Sequence, residues 1–410
     1  MLQPSGCVVL AHASLGQGSR VGRRTRAQSE GSAVDQAGFE ARTALERIAE
    51  PLLHLRALSG LDGHSGGDAS APSPDAGSVP ALARARSSTA LIQAMSADRR
   101  IVTTLDSKRT GWVARAEIIP PQYSAVRRVI TLLQQAEQCF AAVLNGESRS
   151  DQMLAAILRR TRPRSRIVIA DCTWKAQSSR LDGLVNRMGL RLIDSPRVVY
   201  CVLSSDEKVL FPHTWGVDSE RVFFTPWCHT LTQEQLAAPT RDDGFVFAGG
   251  DSLRDYGPLV ELSRRLPLRI RIATRLEPST ALPSNVTMGP VGEDEYVDLM
   301  RSASVVVVAL EPARERSAGL SYLNAMAMGK LVIVTEGTGV RDYVDHGITG
   351  LIVPPGDTEA LSSALQWALS PSNCSEVEKI SAQAQAQVRS RFGPDNYVSS
   401  LLRVIDELPD

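Results

Sequence analysis

Between Ser304 and Leu361 the chain reads SVVVVAL, EPARERSAG, LSYLNAMAMGK, LVIVTEG and then VRDYVDHGITGLIVPPGDTEAL. Short β-branched runs bracket a polar loop and a helix-compatible segment, so Ser317, Ala318 and Gly319 should enter a helix starting at Leu320. The first turn of a helix has free N–H groups and the positive end of the macrodipole, a seat for an anion. Small residues there let the main chain come close to a phosphate. Gly329 would then close the helix as a left-handed cap. Upstream, FVFAGGDSLRDYGPLVELSRRL places Gly249 and Gly250 in the loop after a strand, with Arg254 able to reach the same anion. The chemistry these residues suit is the gripping of a phosphate or diphosphate. Each has a plainer explanation: α/β units need glycine at their corners, and Arg254 can equally open a solvated helix.

A second group stands in the first half. Asp171, Cys172 and Trp174 follow RIVIA, and Asn145 and Gly146 follow CFAAVL. Both groups fall at carboxyl ends of expected strands, where ligands bind in open α/β sheets. Trp174 can stack on a sugar, cover an apolar ligand, or pack against its own domain. Asp171 can orient a hydroxyl or cap the helix that follows. His229, after Trp227 and Cys228, reads as structural.

The elements that must position these residues alternate. Strand-like runs occur at Ile101–Leu105, Val113–Ile119, Cys139–Leu144, Arg166–Ala170, Val198–Leu203 and Val222–Thr225. A second series runs Phe245–Ala248, Ile270–Ala273, Val305–Leu310, Leu331–Thr335 and Leu351–Val353. Helix-patterned segments between them imply parallel sheets covered on both faces. The polar stretch His229–Gly244 separates the series as an interdomain hinge. The expected fold is α/β: two Rossmann-like doubly wound domains, meeting near residue 235 and facing a central cleft. The expected divisions are 1–95, an N-terminal segment with a Gly/Ser/Pro-rich linker; 96–235, with a further strand at 6–12 as an option; 236–385; and 386–410, a helix crossing back from Val388.

Composition narrows the classes. At roughly 150 residues per domain, 410 residues make two or three domains. Forty-five Lys and Arg balance 45 Asp and Glu, against a dedicated nucleic-acid binder. No apolar run approaches the roughly 20 residues of a membrane-spanning helix. Six cysteines without a C-x-x-C pair and six histidines without an H-x-x-x-H pair exclude a local zinc motif. Dispersed thiols suit a reducing compartment, so a cytoplasmic location is expected. Arg20, Arg23, Arg24 and Arg26, with no carboxylate before Glu30, suit an organellar leader, an anionic membrane surface or a solvated tail. The solvated tail is the simplest account.

The ordered set S-A-G, A-M-A-M-G-K, V-I-V-T, D-Y-V and H-G-I-T-G-L-I-V-P-P-G-D resembles the family 4 retaining glycosyltransferases of GT-B fold. The resemblance spans about residues 165–405. It implies a donor site at Gly249, Gly250, Ser317, Ala318, Gly319 and Leu320, with Met288 and Gly289 of TMGPV in a loop reading the nucleotide base. It implies catalytic roles for Arg254 and Arg316, and acceptor-side roles for Asp171, Trp174 and Asn145. The family's E-x7-E motif aligns here on Arg316 and Asn324, so both glutamates are replaced. Asn324 can still hydrogen-bond a ribose without charge assistance; Glu315 can stand in for the first glutamate if the loop slips by one residue. The activity implied is transfer of a sugar from a nucleoside diphosphate sugar to an acceptor hydroxyl with retention, the leaving diphosphate assisting front-side attack. No metal and no cofactor is implied. The partners are the nucleotide sugar and an acceptor that is a glycan, a lipid-linked sugar or a small molecule, with peripheral membrane contact left open. The rivals are a non-catalytic relative binding a nucleotide or partner protein and, more distantly, a sugar-nucleotide epimerase.

Overall fold

The computed structural model describes residues 100–105, 116–119, 125–136, 139–162, 165–174, 188–312 and 321–408. The optional strand at 6–12, the Gly/Ser/Pro-rich segment and the arginines near the start lie outside them. The described residues form two six-stranded sheets, and every pairing is parallel. The first holds β1 (Ile101–Thr103), β2 (Glu117–Ile118), β3 (Ala141–Asn145), β4 (Arg166–Ala170), β5 (Val198–Val202) and β6 (Val222–Phe224), in the order β2-β1-β3-β4-β5-β6. The second holds β7 (Val246–Gly249), β8 (Ile270–Ala273), β9 (Val286–Gly289), β10 (Val305–Val308), β11 (Val332–Thr335) and β12 (Leu351–Val353), in the order β12-β11-β10-β7-β8-β9.

Central strands such as RIVIA, VVYCV and VVVV are buried on both faces, as parallel strands between helix layers must be. In the first sheet Ala142, Leu144, Ile167, Ile169 and Tyr200 pack under α1 (Ala125–Ala136), α2 (Arg149–Thr161), helical residues 188–193 and α3 (Ser205–Trp215). The alternate residues Ala141, Val143, Val168, Val199 and Cys201 pack on the other face against Tyr397, Val398 and Leu401 of the last helix. Period-two alternation thus assigns each strand residue to one of two cores.

Three elements differ from expectation. Val286–Gly289 is the edge strand β9 rather than part of a loop; it pairs on one side only, and its VTMG run is short, mostly not buried and closed by glycine. The stretch expected to be a hinge contains α4 (Gln233–Ala237), closed by a capping box between Thr232 and Gln235. It is stitched to the second domain: Arg301 Nη1 donates to Ala238 O at 2.8 Å, and Lys330 Nζ, itself held by Ala303 O at 2.7 Å, donates to Arg241 O. The tail is not one helix from Val388. A long helix, Cys374–Arg391, stops at Phe392, and Pro394 opens the next, Pro394–Glu407, where its missing N–H costs nothing. That last helix lies on the first sheet.

The carboxyl ends of the two sheets meet through polar contacts. Ser205, just after β5, donates its N–H (2.8 Å) and hydroxyl (2.7 Å) to Asp342, just after β11. Gly339 N donates back to Asp206 at 2.9 Å. Tyr343, fully buried, accepts from Trp227 N at 2.9 Å and donates to Leu203 O at 2.5 Å.

Candidate functional site

In the second sheet the chain runs outward in both directions from the neighbours β7 and β10, so their carboxyl ends form the topological switch point. Arg254 sits there. Its Nε donates to Gly249 O (3.0 Å), Nη1 to Ser252 O (2.7 Å) and Nη2 to Ser321 Oγ (3.3 Å), and its backbone bridges to Leu310 after β10. The residue is 8% exposed, and none of these partners is a carboxylate. A guanidinium buried among neutral acceptors keeps its charge for an anion, and burial makes that charge strong. The two glycines before it are required by space. A Cβ on Gly249 would fall 2.6 Å from the Tyr296 ring, and Gly250, at φ 110°, would bring one to 2.7 Å from Arg254 Nη2.

Asp251 anchors the same loop by accepting from Thr274 Oγ1 (2.9 Å), Arg275 N (2.7 Å) and Arg275 Nε (2.7 Å). Burial opposes its ionisation, but these bonds outweigh it and hold its carboxyl below the usual range. Arg254 and Met288 line one cavity of about 160 Å³, with Tyr256, Leu276, Glu277 and Leu282 around it. Gly289 ends β9, its carbonyl accepting from Thr274 N. The structure therefore brings Gly249, Gly250, Arg254 and Met288 together.

Glu315, Arg316, Ser317, Ala318, Gly319 and Leu320 lie outside the described residues. The helix that follows is described over Ser321–Ala327 as α5, and Gly329 beyond it has φ 78°, the left-handed conformation expected of a cap. Asn324 faces the interdomain linker. Its Oδ1 accepts from Thr230 N at 2.8 Å and its Nδ2 donates to Thr230 Oγ1 at 3.0 Å, so both ends of the amide are engaged.

The first sheet has its own switch point between β1 and β3. Asn145, ending β3, donates its N–H to Thr104 Oγ1 at 3.0 Å, and its side chain accepts from Glu147 N at 2.9 Å. Thr104 Oγ1 bonds Asp151 Oδ2 at 2.5 Å, and Arg128 Nη2 meets Asp151 Oδ1 at 2.8 Å. This Thr104–Asp151–Arg128 cluster was not legible beforehand. Asp151 looks like one more acid in a helix first turn, and only folding carries it to the mouth of β1.

Trp174 packs inward. Its Nε1 donates to Gly146 O at 2.7 Å, and its ring lies 5.2 Å from Phe211 and 5.4 Å, edge-on, from Trp215. Asp171, directly after β4, has φ 57° and is 6% exposed, accepting from Tyr397 Oη at 2.7 Å. Burial pushes its carboxyl up to about 7, against the pull of the Tyr397 hydrogen bond. His229 is buried, its N–H donating to Phe392 O at 3.0 Å. Burial first, then nearby Arg389, lowers its pKa. Among the described residues no group of three or more His, Cys, Asp or Glu is placed to hold a metal ion.

Residues 258–370 match the family model described as glycosyl transferases group 1. A D-inositol 3-phosphate glycosyltransferase of Saccharomonospora viridis is 33% identical over 218 residues, covering 47% of this chain and 48% of that protein. An uncharacterized glycosyltransferase of Methanocaldococcus jannaschii is 27% identical over 211 residues, 49% of each. The chain thus spans about half the length of the curated relatives it matches. HepE of Anabaena, solved in complex with UDP-glucose, superposes with a TM-score of 0.56 at 14% identity, over 75% of this chain and 99% of that one. Sucrose-phosphate synthase of Thermosynechococcus elongatus superposes with a TM-score of 0.57 at 15% identity, over 76% and 99%. Both likenesses concern the fold. It is GT-B: two parallel, Rossmann-like domains, as the alternation of strands and helices implied. Arg254 stands just ahead of the group 1 domain match and Met288 within it.

Proposed function

We propose that this chain is a glycosyltransferase that moves a sugar from a nucleoside diphosphate sugar to an acceptor hydroxyl with retention of configuration. The observation that carries this reading is Arg254, a buried guanidinium held at the switch point of the second sheet whose side-chain partners among the described residues are all neutral acceptors. A diphosphate seated there is gripped by that charge, and the charge that develops as the sugar departs is stabilised without reorganisation of the protein. Gly249 and Gly250 give the main chain close approach to the phosphates, and Met288 lines the cavity for the base. The S-A-G turn at Ser317–Gly319, with Leu320, supplies further N–H donors in this reading, and Arg316 or Glu315 faces the transferred sugar. Asn324 is tied to Thr230, so a ribose contact from it requires that bond to be exchanged. Catalysis rests on holding donor and acceptor in register, the acceptor lying over Asn145 and Asp171 at the mouth of the first sheet. The complex of HepE with UDP-glucose makes uracil the first base to try.

Calorimetric titration with UDP, GDP and ADP tests the donor site. We expect one of them to bind, and Arg254→Ala to weaken that binding at least tenfold, about 1.4 kcal/mol. Absence of heat with all three would refute the donor site. Donor turnover followed by NMR then reports chemistry, with the anomeric configuration of the first product deciding retention. Binding without any sugar release, over a range of acceptors, would make the chain a non-catalytic relative.

A further inference from the structure

The outer surface of the helix layer on the first sheet has a character that the donor site does not explain. Nine large apolar side chains are well exposed among the described residues, and six of them, Ile130, Met153, Met188, Leu192, Val209 and Leu210, belong to this one layer. They come from α1, α2, residues 188–193 and α3, whose inner sides share a single core, so all six lie on the same side of the first sheet. Met188 and Leu192 are one helical turn apart. Isolated exposed apolar residues are ordinary; two thirds of them gathered on one helix layer is a concentration.

Cations are interleaved with them. Arg160 bonds the backbone carbonyls of Ala156 and Leu192, and Arg159 those of Arg191 and Leu192, which joins α2 to residues 188–193. Arg160, Arg191 and Lys208 are exposed, and none forms an ion pair among the described residues. The carboxylates of the same helices are turned away or engaged. Asp151 is buried against Arg128, Glu207 is buried at the start of α3, and Asp206 accepts from Gly339. From Arg149 to Arg197 the chain carries eleven Lys and Arg against four Asp and Glu, inside a molecule with no net charge.

We propose that this face docks on an anionic lipid bilayer. Apolar tips set singly between cations match the interface of such a bilayer, where short side chains enter among the head groups and guanidinium groups meet lipid phosphates. A second copy of the chain fits poorly, because a twofold contact would press the same uncompensated cations together. The assignment does not depend on Arg254 or on the donor site.

The test is flotation of the full chain with phosphatidylcholine vesicles, with and without phosphatidylglycerol. The protein should float only with the anionic vesicles and be released by salt, since the attraction is screened. Arg160→Glu with Arg191→Glu should lower the apparent affinity by roughly tenfold or more. Met188→Ser with Leu192→Ser should also weaken it while leaving the charge intact. Both pairs are exposed, and an unchanged thermal midpoint would confirm that each variant is folded. The proposal is overturned if the chain stays unbound on anionic vesicles, or if both double variants float like the wild type. It is equally overturned if light scattering shows a dimer that the arginine substitutions dissociate, which would make the face a contact between copies.

Discussion

Arg254 and Gly250 form a unit at the scale of single residues. The guanidinium occupies the space that a side chain on Gly250 would need, and the φ of 110° there disfavours any L residue. Gly250→Ala should therefore displace Arg254 and destabilise the fold by about 1–3 kcal/mol. Its diphosphate affinity should fall as in Arg254→Ala; a denaturant midpoint and a calorimetric titration on the same variant check the pair of effects. Asp171 carries a different expectation. Its folded pKa of about 7 lies above the ordinary 3.8, so the folded state binds the extra proton. The associated stability is complete below pH 3.8 and is lost as pH climbs through about 7. Against Asp171→Asn, which stays neutral, the wild type should lose on the order of a few kcal/mol across that window. Chemical denaturation of both proteins over a pH series measures the difference.

Among elements, the linker decides most. The stretch from His229 to Gly244 has the composition of a free hinge, yet Asn324, Arg301 and Lys330 fasten it to the second domain. Asn324→Ala removes two hydrogen bonds to Thr230 and should cost about 1–3 kcal/mol. If fastening is its role, the unfolding midpoint drops while the diphosphate dissociation constant stays where it was; isothermal titration of the variant checks this. The final helix shows the same logic. Pro394 ends one helix direction and starts another, and the amphipathic face of Pro394–Glu407 then covers the open side of the first sheet, bringing Tyr397 to Asp171.

For the whole molecule, the reciprocal contacts between Ser205 and Asp342 and between Asp206 and Gly339 hold the two sheets with their carboxyl ends toward each other. The two bonds to Asp342 are exposed, so their net contribution is small, below about 1 kcal/mol. Their geometric effect is larger, because with the buried Tyr343–Leu203 bond they join the two domains at more than one point. Asp342→Ala should leave the thermal midpoint nearly unchanged and enlarge the radius of gyration in small-angle X-ray scattering.

The strands and helices from residue 100 onward were largely legible in the sequence, because β-branched runs and helical periodicity are local properties that survive any tertiary arrangement. So was the clustering of Gly249, Gly250 and Arg254, which are neighbours along the chain. Edge strand β9 escaped because a strand paired on one side needs little apolar signal. The partners that give the site its character are set by folding alone: Arg254 and Ser321 are 67 residues apart, Thr230 and Asn324 are 94, and Asp171 and Tyr397 are 226. Residue type fixes which bonds a side chain can make; only the packing of two sheets and a returning helix determines which partner arrives.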